Sequence, residues 1–211
     1  MRAWLFFQDE DRGALGGGVV IPNGVDTQRF TPSPVPEGPE LVFTGTLSWH
    51  PNIDGLEWFC TRVFPLVRAQ CPRARFTIVG REPLPEVHAL ARLPGVSLDA
   101  DVPSVLPHLR RARVAVVPLR VGSGTRLKAL EAMAAGRPVV GTTLGLAGLG
   151  VDAGRHALVA DEPHALAEAL VVVLQDDAIA ARLATEGARL ARDEFSWDVI
   201  GRRYVDAVLG R

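Results

Sequence analysis

The feature that most constrains this chain is a series of short runs rich in β-branched or aromatic residues, several of them without polar alternation, separated by helical patterns. The runs are Leu41–Gly45, Arg75–Gly80, Val96–Leu98, Val114–Pro118, Pro138–Gly141 and Ala157–Ala160. Strands of this kind are buried on both faces. Helical crossovers between them predict a parallel sheet with right-handed connections. The intervening patterns predict helices over 53–70, 86–92, 103–112, 126–135, 163–175, 178–193 and 196–209. Pro163 suits a first helical turn and Ser196 an N-cap. The expected architecture is α/β: a Rossmann-like open parallel sheet flanked by helices.

With 211 residues the chain can bury a normal core. Its net charge of −1 gives no electrostatic reason to expect nucleic acid as a partner. Two cysteines, Cys60 and Cys71, make neither a disulfide framework nor a metal site, and favour a reducing compartment. The apolar run Met1–Phe7 is too short for a secretory segment and is followed by Asp9, Glu10 and Asp11. No stretch has the length of a membrane span. The expectation is a cytoplasmic protein, with peripheral contact at the inner face of the membrane left open.

Residues 1–40 differ from the rest. Gly16–Gly18 leads into Val19-Val20-Ile21-Pro22, and Pro32-Ser33-Pro34-Val35-Pro36 removes helix and sheet donors. This segment reads as a linker or boundary, with residues 41–211 forming the regular domain.

Open parallel sheets bind ligands beyond the carboxyl ends of their strands. Strand 41–45 ends in Gly45-Thr46, strand 75–80 in Gly80-Arg81, and strand 114–118 opens into Leu119-Arg120-Val121-Gly122-Ser123-Gly124-Thr125-Arg126-Leu127-Lys128. This last loop precedes a helix, and bare N–H groups at a helix start attract anions. Arg126 and Lys128 add positive charge; Lys128 is the lone lysine among 23 basic residues. The loop is read either as a phosphate cradle or as a helix-entry turn with two solvated cations. No G-x-x-x-x-G-K-[ST] or G-x-G-x-x-G occurs. Glu131 lies in the otherwise small and apolar run Ala129–Gly136. A carboxylate there suits a ribose diol if buried, or solvent if it faces outward.

Four segments together resemble the C-terminal half of family 4 (group 1) glycosyltransferases. They are Val20-Ile21-Pro22-Asn23-Gly24-Val25-Asp26, Phe43-Thr44-Gly45, Phe76-Thr77-Ile78-Val79-Gly80, and Leu130-Glu131-Ala132-Met133-Ala134-Ala135-Gly136-Arg137-Pro138-Val139-Val140. The run Thr44–Asp54 resembles a subgroup with a Thr-Gly…Pro-Asn-x-Asp loop, found in exopolysaccharide-type clusters. The resemblance covers roughly residues 19–210. It implies the C-terminal half of a GT-B fold and a retaining hexosyltransferase that needs no metal or other cofactor. Such an enzyme moves sugar from an NDP-sugar to a glycan or lipid-linked acceptor in polysaccharide or cell-envelope biosynthesis. It assigns Arg126 and Lys128 to the leaving diphosphate and Glu131 to the ribose. Gly45 and Thr46 match the family's loop beside the diphosphate.

The chain departs from that pattern in three places. The first acid of the E-x7-E motif is replaced by Ser123, which brings hydrogen bonding without charge; with Gly124 and Thr125 it lies where the donor is held. Thr46 and Asn52 stand near the positions of the usual Arg and Lys after the first strand. Most of an acceptor-binding half has no counterpart, so residues 1–40 read as its remnant, with a separately encoded acceptor domain as a possible partner. The alternative is a catalytically incomplete nucleotide-sugar-binding or scaffolding module; a sugar-nucleotide epimerase of the same architecture is a weaker one.

Among the remaining residues, Arg81 reads as a flank of the base or ribose, or as a surface arginine. His50 reads as a cleft or surface residue. Asp99 and Asp101 read as nucleobase contacts or as caps of the next helix. Arg110-Arg111-Ala112-Arg113 reads as a solvated helix end, and Gly145–Gly150 as a closing loop or plain connection.

Overall fold

The structure is a computed structural model that describes residues 19–209 and, as backbone, Leu5–Phe6. The expectations placed on Met1–Phe7 as an apolar run, on Asp9–Asp11 and on Gly16–Gly18 otherwise lie outside the described residues. Leu5–Phe6 (β1) and Val19–Val20 (β2) pair in parallel as a separate two-stranded sheet.

The main sheet contains β3 (Glu40–Thr46), β4 (Arg75–Arg81), β5 (Val96–Ala100), β6 (Val114–Val117), β7 (Val139–Gly141) and β8 (Leu158–Val159). Its strand order is β5-β4-β3-β6-β7-β8, and every pairing is parallel. The expected open parallel sheet is therefore present. The chain steps outward through β3, β4 and β5, then returns to place β6 on the other side of β3. This reversal opens a crevice at the carboxyl ends of β3 and β6, where open α/β sheets receive ligands.

Alternate residues of the central strands feed two cores. Leu41, Phe43, Phe76, Ile78, Val114 and Val116 pack against α1 (His50–Trp58), α2 (Phe64–Gln70), α3 (Pro85–Leu90) and α6 (Pro163–Gln175). Val42, Val79, Ala115, Val117 and Val139 pack against α4 (Leu106–Arg111), α5 (Leu127–Ala134) and α7 (Asp177–Phe195). The period-2 geometry of a strand thus buries both faces, which explains the unalternating apolar runs. The last helix is α8 (Trp197–Leu209), and Ser196 immediately precedes it with its carbonyl accepting from Val199 and Ile200 N–H at 3.0 Å each.

The expected helix over 53–70 begins earlier and carries a wide turn. Phe59–Val63 is π-helical, and Phe64 N–H reaches back to the Phe59 carbonyl. Pro65 has no N–H to give the Thr61 carbonyl, so the hydrogen-bond ladder is broken there. The helix expected over 103–112 is shorter, because Pro103 and Pro107 lie within it.

The proline-rich segment lies on the body of the domain. Ser33 N donates to the Ala135 carbonyl at 3.3 Å. Arg137, with no solvent exposure, donates Nη2 to the Pro34 carbonyl at 2.8 Å, to Ser33 Oγ at 3.1 Å and to the Ser33 carbonyl, and Nη1 to the Ala112 carbonyl at 3.1 Å. Arg113 corrects one expectation. It lies past the end of α4 and is buried. It donates to the Val173 carbonyl at 2.8 Å and the Pro36 carbonyl at 3.0 Å, and pairs with Asp177 at 2.5 Å. The solvated helix end comprises Arg110 and Arg111 alone.

The two cysteines occupy different surroundings. Cys60 is buried and its thiol is pushed up to about 12 by burial, whereas Cys71 is half-buried. Thiolate is the reactive form. Native protein is therefore expected to take up one equivalent of a thiol reagent, at Cys71, and denatured protein two. Two equivalents consumed rapidly by the native chain contradict the packing of the Phe59–Val63 turn onto the sheet.

Candidate functional site

Beside the crevice, the carboxyl ends of β3 and β4 approach closely. Gly45 and Gly80 stand opposite each other in register. A Cβ on Gly80 would overlap the Gly45 carbonyl oxygen, so only glycine permits this approach. A Cβ on Gly45 would lie 3.3 Å from Lys128 Nζ and 2.9 Å from Asn52 Nδ2. Lys128, in the first turn of α5, thus extends across the reversal point from β6 to the end of β3.

Lys128 is half-buried. Its ammonium lies 4.4 Å from the centroid of the Phe43 ring and donates to Asn52 Oδ1. Burial first, and then Arg126, pull its amine down to about 7, with Glu131 partly offsetting them. Glu131 lies three residues on and so on the same side of α5. Burial pushes its carboxyl above the usual range, with Arg29 and Lys128 partly offsetting this. A base and an acid, each shifted towards neutrality by burial, therefore stand near each other on α5.

Arg126 is engaged by backbone carbonyls. It is 5% exposed and donates Nε to the Leu144 carbonyl at 2.8 Å, Nη1 to the Gly124 carbonyl at 2.7 Å and Nη2 to the Gly122 carbonyl at 3.3 Å. It clasps the loop before α5 and ties it to the turn after β7. Gly122 and Gly124 have φ of 93° and 106°, the left-handed region where a side chain is strained. Ser123 is exposed at the apex between them. Thr125 Oγ1 accepts from Asn23 Nδ2 at 2.9 Å, which joins the Pro22–Asp26 motif to this loop. Trp49, 41% exposed, stands beside Gly122.

Thr46 links the other side. Its carbonyl accepts from Asn52 Nδ2 at 2.7 Å and its hydroxyl from Arg81 Nε at 3.3 Å; Arg81 is otherwise exposed. The sequence-predicted residues thus fall into two groups. Gly45, Thr46, Lys128 and Arg81 meet at the carboxyl end of β3, joined through Asn52 and the Thr46 hydroxyl, with Glu131 near Lys128 on α5. Ser123, Gly124, Thr125 and Arg126 form the overhanging loop. His50 is exposed at the start of α1.

Asp99 and Asp101 do not cap α4. Asp99 Oδ2 lies 3.1 Å from His108 Nδ1 and 3.7 Å from Arg111, and Asp101 Oδ1 accepts from Glu82 N at 2.8 Å. Leu106 N donates to Ser104 Oγ at 3.3 Å instead. The Gly145–Gly150 loop begins as a 3₁₀ turn, Leu144–Leu146, anchored by Gly145 N donating to Thr142 Oγ1 at 2.9 Å and by the Arg126 contact to Leu144.

Three residues at the site were not singled out from the sequence. Asn52 was noted only for standing where a cation is usual. Asn23 was read as part of a motif without a role, and Arg29 was not read at all. A polar residue one position past a proline at a helix start, as in Pro51-Asn52, was the available signal for the first.

The fold and the site together define a Rossmann-like domain whose Lys128 ammonium lies against Gly45 at the end of β3, beside the switch point. Comparison with known proteins then specifies the family. The family profile described as "Glycosyl transferases group 1" matches residues 38–176. The chain is 29% identical over 217 residues to a GDP-mannose-dependent alpha-(1-6)-phosphatidylinositol monomannoside mannosyltransferase of Mycolicibacterium smegmatis. That match covers 90% of this chain and 56% of the relative. HepE of Anabaena, solved with UDP and glucose, superposes at a TM-score of 0.77 with 17% identity, over 99% of this chain and 63% of that one. The C-terminal domain of the group 1 protein LpcC from Francisella tularensis superposes at 0.63 with 17% identity, over 82% of this chain and all of that one. This chain belongs to the group 1 glycosyl transferases. It spans a little over half the length of the mannosyltransferase and of HepE.

Proposed function

We propose that this chain is the donor-binding, C-terminal half of a retaining, family 4 glycosyltransferase of GT-B architecture, taking a hexosyl NDP-sugar as substrate. The observation that carries this reading is the placement of the Lys128 ammonium against Gly45 at the end of β3, beside the switch point, with Glu131 near it on α5. A diphosphate suits the lysine and the helix start behind it. A ribose diol suits the carboxylate, which can accept from two hydroxyls. Support also comes from the fit of a C-terminal domain of the same family along its whole length, and from a UDP- and glucose-bound structural neighbour.

In this reading Lys128 stabilises charge as the sugar–phosphate bond breaks, together with the α5 dipole. No metal is needed for that. Arg126 holds the loop so that the backbone at Ser123–Thr125 meets the donor, and Gly45 and Thr46 close the opposite wall. Arg81 borders the nucleoside. The acceptor, a glycan or lipid-linked sugar in polysaccharide or envelope synthesis, docks on a separate half. Residues 1–40 belong to that half or to its linker, on the same chain or on a separately encoded one. Among the described residues no helix is long and apolar enough to cross a membrane. A cytoplasmic site, with or without contact at the inner membrane face, fits this reading. Ser123, which brings no charge to the sugar, favours a second reading as a nucleotide-sugar-binding or scaffolding module without transfer.

Calorimetry on the full chain tests the common core of both readings. UDP or GDP is expected to bind with micromolar to millimolar affinity, unchanged by chelator. Glu131→Ala is expected to weaken it about tenfold, the loss of one charge-assisted contact of roughly 1.5 kcal/mol. Absence of heat with either nucleotide at millimolar concentration overturns the assignment. Sugar transfer by the chain mixed with an acceptor domain separates an enzyme from a binding module.

A further inference from the structure

The amine that meets the diphosphate in the proposed function is held by a neutral amide, not by an acid. Asn52 is 2% exposed at the start of α1. Its Nδ2 donates to the Thr46 carbonyl at 2.7 Å, and its backbone N–H donates to the Trp49 carbonyl at 2.9 Å. With both groups fixed, Oδ1 points at one place, and the Lys128 ammonium occupies it. The asparagine touches Gly45 as well, since a Cβ there would come within 2.9 Å of Nδ2. One side chain therefore joins the end of β3, the start of α1 and the start of α5.

We propose that Asn52 is a positioning residue for the donor: its amide oxygen holds the Lys128 ammonium at the Gly45 end of β3 while leaving its charge uncancelled for the diphosphate. This rests on the diphosphate reading of the crevice. An aspartate in the same place would pair with the amine and neutralise it, but would lose the donor that the Thr46 carbonyl accepts from. A leucine of similar volume would hold nothing. The other charged groups that bear on the amine are Arg126, from the loop before α5, and Glu131, one turn further on, itself faced by Arg29.

Lys128 is the one lysine in the sequence, so lysine labelled with ¹³C at Cε gives a single side-chain NMR signal to titrate. In the full chain without ligand, that signal is expected to titrate near 7. Asn52→Asp is expected to move the midpoint up by a unit or more, and Asn52→Leu to move it down. Alongside, UDP and uridine are titrated into each variant. Asn52→Leu and Asn52→Asp are each expected to weaken UDP about tenfold or more while changing uridine binding less than twofold. Asn52→Asp, with its amine charged to higher pH, is expected to retain UDP affinity to higher pH than wild type.

Any of the following results would overturn the proposal. The lysine signal could titrate alike in all three proteins. UDP could bind the leucine variant as it binds wild type. UDP and uridine could weaken together, which marks a merely structural side chain. A wild-type chain that binds no nucleotide overturns the donor reading and this proposal together. Shifted lysine titrations with unchanged UDP affinity overturn the proposal alone. A circular dichroism melt of each variant identifies unfolding, and Asn52→Asp, nearly isosteric, keeps the test decisive if the leucine variant fails to fold.

Discussion

Replacing Lys128 by alanine is expected to weaken UDP or GDP binding about a hundredfold at pH 6.5, and much less at pH 9. A charge-assisted contact to phosphate contributes roughly 1.5–3 kcal/mol, about ten- to hundredfold in affinity. The upper end applies here because the ammonium is half-buried, where water competes less. The pH dependence follows from the position of the amine. Burial and Arg126 bring it down to about 7, so below that pH the free protein already carries the charge the diphosphate requires. Above it, binding must first bring a proton in, and wild-type affinity is expected to fall by up to about tenfold per pH unit. At pH 7 about half a proton is taken up on binding, which calorimetry in buffers of different ionisation enthalpy detects. The alanine variant loses both the affinity and this proton uptake. A variant that binds as tightly as wild type at pH 6.5 removes Lys128 from the site.

The same shift has a consequence of opposite sign for stability. An unfolded lysine titrates near 10.4, above the folded value of about 7, so between the two the unfolded chain binds more protons. The contribution of this group to stability therefore rises as pH climbs from about 7 to 10. At neutral pH the charge weakens the fold, and Lys128→Met is expected to melt higher than wild type while binding nucleotide poorly. Binding sites often exchange stability for function in this way.

The second large effect is on folding. Arg137→Leu is expected to lower stability by about 3–5 kcal/mol and the melting temperature by roughly 10 °C. The guanidinium is fully buried and serves the carbonyls of Ser33, Pro34 and Ala112 together with the Ser33 hydroxyl. Removing it costs the buried Ala112 carbonyl its donor, at about 1–3 kcal/mol before relaxation, and the part-buried Ser33 and Pro34 acceptors less each, since water reaches them. The loss is partly offset because burying the cation is itself costly, and burial with nearby Arg110 lowers it to about 10. The damage should spread along the proline-rich segment, whose Pro32 packs against Gly136, a residue in the left-handed region at φ 72°. Hydrogen exchange at Ser33 N, which donates to the Ala135 carbonyl, reports that release directly. A leucine variant with wild-type melting and exchange would show that the segment is held by other contacts.

These two residues mark how much of the protein could be read in advance. The run Leu130–Val140 was legible as a family signature, and Glu131 within it as an acid needing a partner. Arg137, in the same run, drew no attention, because its partners lie 103 and 104 residues earlier in the chain. Arg126 and Lys128 looked equivalent in sequence, two cations one residue apart at a helix start. Arg126 is the non-helical residue before α5 and Lys128 lies in the first turn, so the arginine meets backbone carbonyls and the lysine meets Asn52 and Phe43. Arg113 looked like its solvated neighbours until the end of α4 at Arg111 placed it on an inward path.

By itself the sequence determined the layers: unalternating β-branched runs must be covered on both sides, and helical crossovers between them force parallel strands. It also placed glycines where β3 and β4 end and a cation-bearing helix start after β6. Only the tertiary structure decided which cation reaches the end of β3 and what holds it there, since Asn52 meets Lys128 across 76 residues of chain. Periodicity and propensity act within a few turns of backbone. A hydrogen bond between distant side chains depends on strand order and packing, and these exist only once the sheet has assembled.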